Sequence, residues 1–290
     1  MDVTIRSAIG PDANACGRIC YEGFRAINER RGFPPIFASV EVATRRVAAF
    51  IEHPSVFAVV AETNDGDRRI VGFNFLSERD PIWAIGPIVI DPAIQGHGIG
   101  RRLMEAALDR ARGARGVRLM QESYNLQSFS LYARLGFDAR ELFIVLSATP
   151  VSAVLQSGYE IRPLTKGDIG ACESLHASVL GYSRTNELLD ALATGEPIAA
   201  LKDGHLSAYM TMPTNWLANH GVAATDEDLR ALILGAAQTR HEPLSFLLPA
   251  RAPLLRWCLG KGFRAVRPMT LMTIGDYREP EGSYIPSVLY

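Results

Sequence analysis

Cysteine is scarce in this chain of 290 residues, and the four present, Cys16, Cys20, Cys172 and Cys258, are scattered. Their spacing argues against a disulfide framework and lacks the paired cysteines of a zinc site. The expectation is buried, reduced thiols in a cytoplasmic protein with no metal centre. Neither sign of charge is in excess: 30 basic residues face 31 acidic ones, a net charge of −1. The chain as a whole therefore carries no electrostatic footprint for nucleic acid or an anionic membrane surface. No apolar run reaches the ~18 residues of a membrane span, and the opening Met1-Asp2-Val3-Thr4-Ile5-Arg6 lacks the basic-then-apolar order of a signal peptide. No Gly-x-Ser-x-Gly elbow supports a hydrolase triad, and no glycine loop ends in the Gly-Lys-Ser/Thr of a P-loop. What remains is an ordinary globular composition, 48% hydrophobic and 21% charged, in a length that suggests about two domains.

The most informative stretch is Gln95-Gly96-His97-Gly98-Ile99-Gly100-Arg101-Arg102. Before it, residues 82–90 have the length and β-branched content of a buried strand, ended by Asp91-Pro92. After it, Leu103, Met104, Ala107, Leu108 and Ala111 form the apolar stripe of an amphipathic helix. The glycines thus fall where a strand gives way to a helix N-terminus. There they remove the Cβ atoms that hold a ligand off the backbone, so N–H groups and the helix dipole can meet an anion, with Arg101 and Arg102 adding formal charge. A phosphate or pyrophosphate is the expected ligand. The order Gly-x-Gly-x-Gly is not the Gly-x-Gly-x-x-Gly of a Rossmann turn, and no acidic residue follows a second strand at the proper distance.

A second pattern lies downstream, Asn125-x-x-Ser128-x-x-x-Tyr132-x-x-x-Gly136-Phe137, on a helix that Asn125 can cap and Gly136 can end. With Gln95-x-x-Gly98-x-Gly100 before it, the chain resembles the GNAT superfamily of acyl-CoA N-acyltransferases. The order of elements agrees: a strand at 3–7, helices at 12–32 and 40–51, a strand pair at 57–62 and 70–76 across Asn64-Asp65-Gly66, the apolar strand, the loop with its helix, a strand at 117–121 and the Tyr132 helix.

Beyond 148 the chain begins again. Ile5, Arg6, Asp12, Ala15 and Cys16 recur 156 positions later as Ile161, Arg162, Asp168, Ala171 and Cys172. The second copy is the shorter. Where the first has its glycine loop, the second has Thr225-Asp226-Glu227-Asp228, a capping box with carboxylates that repel a pyrophosphate. Its Asn, Ser and Tyr positions hold Arg251, Leu254 and Cys258. The expected class is α/β with a mixed sheet, in two GNAT-like domains in tandem: 1–148, a linker at 149–157, and a trimmed, degenerate copy at 158–290.

The resemblance implies acetyl-CoA (coenzyme A) as co-substrate and a primary amine, of a small molecule or a protein, as acceptor. It places the pyrophosphate on Gln95, Gly96, His97, Gly98, Ile99, Gly100 and Arg101, and the pantetheine along the backbone of Ile88 and Ile90 and near Asn125 and Ser128. Gly86-Pro87 fits a strand irregularity there, because proline cannot donate to a ladder, though it can equally serve only to shape the loop. An amine attacking a thioester needs a proton acceptor, an oxyanion donor and an acid for the thiolate. Tyr132 is the candidate acid, and the backbone N–H of Val89 or Ile90 the candidate oxyanion donor. For the base, Glu122 and Glu78 both stand, and a water chain can replace either. Tyr21, Glu22, Phe24, Arg25, Arg30 and Phe33 are acceptor-side candidates. A second class stays open, an acetyl-CoA-binding sensor without catalysis, and so does a homodimer.

Overall fold

The computed structural model describes residues 2–148 and 158–289; the expected linker lies outside them. The first half runs β1 (Val3–Ser7), α1 (Ala13–Arg31), α2 (Val40–Glu52), β2 (Val56–Thr63), β3 (Ile70–Ser77), β4 (Ile82–Ile85), β5 (Val89–Ile90), α3 (Ile99–Arg110), β6 (Gly116–Glu122), α4 (Leu126–Arg134) and β7 (Asp138–Ala148). The second repeats much of that order: β8 (Tyr159–Pro163), α5 (Ile169–Leu180), α6 (Thr185–Thr194), β9 (Ile198–Lys202), β10 (His205–Met210), β11 (Gly221–Ala223), α7 (Asp226–Thr239), β12 (Leu244–Pro249), α8 (Pro253–Gly260), β13 (Arg264–Gly275) and β14 (Ser283–Ile285).

The residues that repeat at one offset do the same work twice. Arg6 grips Asp12 with two bonds of 2.7 and 3.0 Å, and Arg162 grips Asp168 with two of 2.8 Å. Each aspartate also accepts from a backbone amide three residues upstream, Ile9 in one half and Thr165 in the other. The clamp ties the first strand of each half to the start of its first helix, and Cys16 and Cys172 are buried just beyond it. Burial pushes both thiols up to about 12, so they are inert filling.

The largest sheet has nine strands in the order β1-β2-β3-β4-β6-β13-β7-β12, with β5 on β3. It therefore crosses from one half of the sequence into the other. β13, the long strand of the second half, lies antiparallel between β6 and β7, and β7 in turn pairs with β12. Each half thus places one long strand between two strands of the other. A smaller sheet, β14-β11-β10-β9-β8, completes the second half. Core packing follows the exchange: Phe143 and Val145 of β7 share a cluster with Met269 and Leu271 of β13, Leu247 of β12 and Val179 of α5. Asp80 of the first half accepts from the backbone amides of Asn186 and Glu187, satisfying donors of the first turn of α6.

The apolar stretch 82–90, read from the sequence as one strand, is two. Ile82–Ile85 pairs in parallel with β6, whereas Val89–Ile90 pairs with β3 alone, and Gly86-Pro87-Ile88 separates them. The reason is local, since Pro87 has no N–H for a ladder. Glu122, expected just after its strand, is the strand's last residue.

Candidate active site

β4 and β6 stay together only from Ile82 opposite Gly116 to Ala84 opposite Arg118, after which β5 keeps to β3 and β6 continues alone to Glu122. The parting strands open a cleft of about 850 Å³ of empty space. Ile85 to Ile88 line one side, Leu119 to Glu122 the other, and Asn125, Ser128 and Tyr132 of the α4 region close the end between them. Phe24, Phe37, Phe50 and Trp216 add an aromatic wall. Trp216, Leu217, Met269 and Val288 come from the second half of the sequence, so both halves build the cleft.

The glycine loop precedes α3. Gly96 (φ 90°) and Gly98 (φ 76°), the latter the N-cap of α3, occupy the left-handed region, where a side chain is strained, and open space lies where their Cβ atoms would stand. Gly100 is held more closely: an added Cβ would lie 3.6 Å from Leu131 and 3.7 Å from Ile90, which places the loop against α4 and β5. Gln95, Gly96, His97 and Gly98 are exposed, whereas Ile99 is buried and anchors the first turn. His97 Nδ1 lies 3.0 Å from the Ile94 carbonyl, and Gln95 Nε2 reaches the Ile90 carbonyl at 3.4 Å. Arg101 and Arg102 are exposed, with Arg101 3.4 Å from Glu105. Such a helix start, with amides free and no carboxylate in its first turn, fits an anionic diphosphate. The corresponding α7 carries Asp226, Glu227 and Asp228 in its first turn, and the Thr225 side chain caps the Asp228 amide at 3.2 Å.

On β5 the strand alternation sorts the two candidate oxyanion donors. The Asp91 amide donates to the Val71 carbonyl at 2.9 Å, so Val89 also faces β3 and Ile90, between them, turns its amide to the open side. Val89 is buried against α1, where its Cγ1 lies 2.4 Å from the Cβ position of Gly23.

Asn125 caps α4, its side chain accepting from the Ser128 amide at 3.2 Å. That helix buries Tyr132, whose hydroxyl burial pushes up to about 12 against the pull of Ser128. Tyr132 therefore holds its proton throughout the neutral range and can only donate or share it.

Glu122 lines the cleft and is buried, and burial pushes its carboxyl up. Opposing this, Oε1 accepts from the Tyr124 hydroxyl and, at 2.6 Å, from Arg267 Nη1. Asn28 Oδ1 accepts from the same two donors at 2.7 and 2.9 Å, and Arg267 Nη2 donates to the Pro34 carbonyl at 2.5 Å. Glu78, the other base considered, is remote from this arrangement: Arg110 holds both its oxygens at 2.7 and 2.9 Å, and it does not line the cleft.

Of the acceptor-side candidates only Phe24 lines the cleft. Phe33 stacks on Tyr124 at 4.2 Å, Arg25 lies over Tyr21, and Glu22 pairs with Arg18 at 3.0 Å. Arg30 is exposed. Sequence reasoning missed Asn28, Tyr124, Arg267, Arg46 and Trp216. Arg267 had no local signal, because the strand exchange that brings it to Glu122 spans 145 positions. Among the described residues, no group of three His, Cys, Asp or Glu is placed to hold a metal ion, and no helix is long and apolar enough to cross a membrane.

Comparison with known proteins agrees with this geometry. The model of the acetyltransferase (GNAT) family matches residues 25–137, which include the glycine loop and the Tyr132 helix. A mycothiol acetyltransferase of Nocardia farcinica is 31% identical over 114 residues, 37% of this chain and 37% of the relative. The chain thus matches little more than a third of that relative's length. Among solved structures, a presumed acetyltransferase of Pyrococcus horikoshii has a TM-score of 0.77 at 17% identity, covering 99% of this chain and 94% of that one. A tandem GNAT protein from the clavulanic acid biosynthesis pathway has a TM-score of 0.61 at 12% identity, covering 94% and 98%. At those identities the likeness establishes the fold, which extends over both halves.

Proposed function

We propose that the protein, whose residues 25–137 match the model of the acetyltransferase (GNAT) family, transfers an acetyl group from acetyl-CoA to a primary amine of a small molecule or protein. The observation that carries this reading is the meeting of three parts: a glycine-opened helix start whose Gly100 lies against Ile90 and Leu131, a strand freed from its neighbour, and a buried tyrosine that lines the cleft on the same helix as Leu131. Acetyl-CoA supplies the activated acetyl thioester, which the amine attacks directly.

The amides at the start of α3 take the pyrophosphate, with Arg101 and Arg102 adding charge at its edge. Ile88 and Ile90 offer backbone groups to the pantetheine where β6 no longer occupies them. The Ile90 amide, turned away from β3, is the donor for charge developing on the carbonyl oxygen. Tyr132 donates its proton to the departing thiolate, a role its raised pKa permits because the hydroxyl is still protonated when the sulfur needs it. Glu122 takes the proton from the attacking ammonium, directly or through water. Its bonds from Arg267 and Tyr124 both fall on Oε1, and Oε2 is the atom assigned to the proton.

The test is a free-thiol assay with acetyl-CoA and a mixed panel of amines. Amine-dependent thiol release that falls in Tyr132→Phe is the expected result. Tight acetyl-CoA binding with no release by any amine would make the protein a sensor and overturn the reading.

A further inference from the structure

The cleft contains a guanidinium that the protein itself does not neutralise. Arg46 of α2 lines the same cleft as Phe24, Phe50 and Trp216, and its guanidinium carbon stands 5.5 Å from the centre of the Phe50 ring. Arg79, whose like charge Arg46 feels, pairs with Asp190 at 2.9 Å, and Glu122, the acid that lines the same cleft, is taken by Arg267 at 2.6 Å. Arg46 has no hydrogen bond or ion pair with any described residue. Burial pushes it down to about 10, with the like charge of Arg79 acting the same way, and it remains charged at neutral pH. A cation held among rings, with no acid beside it, costs free energy that a bound anion would offset.

We propose that the amine acceptor carries a carboxylate that Arg46 binds, so that the substrates are amino acids and other amino-carboxylates with an apolar body. This rests on the acetyl-transfer reading above. Three features converge on that class. Tyr132 and Ser128, where the amine must meet the thioester, and Arg46 line the same cleft, so one substrate can present its amine to the first two and an acid to the third. Phe24, Phe50 and Trp216 offer ring faces that suit an apolar body, with the Trp216 indole N–H their only hydrogen-bonding group. Arg46 brings one positive charge, which balances a carboxylate but not a doubly charged phosphate ester.

The experiment measures thiol release with paired amines that differ only at the acid. L-Phenylalanine and L-leucine are set against their carboxamides, and ω-amino acids of three to eight carbons against the corresponding alkylamines. Amino-alkyl phosphates form a third arm. Wild type, Arg46→Met and Arg46→Lys are compared, with acetyl-CoA titration as the check on folding. The expected result is a KM lower by about 10- to 100-fold for the acid than for its uncharged partner, the range of a charge-assisted bond. In Arg46→Met that preference disappears, and Arg46→Lys restores part of it, while acetyl-CoA affinity is unchanged in both. Acids and amides used alike, a preference that survives in Arg46→Met, or phosphates preferred to carboxylates would overturn the proposal and leave acetyl transfer standing. No thiol release with any amine, despite acetyl-CoA binding, would overturn acetyl transfer and this proposal with it.

Discussion

Arg267→Met isolates the charge pair on which the geometry of the cleft depends. The pair is almost wholly buried, with side chains 2% and 5% exposed, and joins β13 to β6 at 2.6 Å. Removing one partner of a buried pair costs about 3–5 kcal/mol, because the remaining charge has lost its water and its counterion. Here the remaining group can escape by taking up a proton, so the cost depends on pH. The Glu122 carboxyl is already raised above its ordinary 4.5, and Arg267 is the one positive charge that opposes burial. Without it the folded pKa rises further. A carboxyl raised in the folded state contributes no penalty below its unfolded pKa. Stability is then lost as pH climbs from there to the folded value. Urea unfolding of Arg267→Met should therefore show the full loss near pH 7.5 and a smaller one near pH 5. Glu122→Gln in the same chain should recover most of the difference at pH 7.5, since no buried charge is left unpaired. Equal losses at both pH values, or a double variant that loses the sum of the two single ones, would refute the reasoning.

Gly98→Asp should weaken acetyl-CoA binding by at least about tenfold in isothermal titration, because it places a side chain on left-handed backbone and a negative charge at a helix start that must receive an anion. Tyr132→Phe should lower kcat by about 10²-fold or more with little change in acetyl-CoA affinity, and unchanged turnover with chemistry shown to be rate-limiting would remove Tyr132 from the mechanism. The wild-type kcat/KM should rise with pH through the raised pKa of Glu122, and an acid limb that persists unchanged in Glu122→Gln would assign the base elsewhere. Titration of the full chain should saturate at one acetyl-CoA, because the counterpart helix start at α7 is lined by Asp226, Glu227 and Asp228; two sites would contradict that.

The parts of the fold that could be read from sequence are those written in consecutive residues. Gln95 to Gly100 and Asn125 to Tyr132 are short patterns whose spacing is set by a helix start and a helical face, and both lie on the expected elements. The repeat was visible because Arg6 with Asp12 and Arg162 with Asp168 form a local clamp whose two ends are six residues apart. Composition and periodicity carry no signal for strand partners, so the placement of β13 between β6 and β7 was not legible. With it went Arg267, and with the loop after β10 went Trp216. Arg46 was overlooked for a different reason: on an amphipathic helix a lone arginine looks like solvated surface, and only the aromatic neighbours brought by tertiary packing make it a cation without an acid.

The exchanged strand also sets an order in time. A ribosome releases Glu122 145 residues before Arg267, a delay of roughly 7 to 29 s at about 5–20 residues per second. For most of that interval the nascent first half has its glycine loop and its tyrosine helix in hand. It lacks the strand that seals β6 and the counterion of Glu122. A chain interrupted before β13 would expose the bare edge of β6 and carry an unneutralised carboxylate in its cleft. Completion of the cleft thus waits for β13, and a product that stops before it is marked by an open sheet edge that chaperones and proteases can bind.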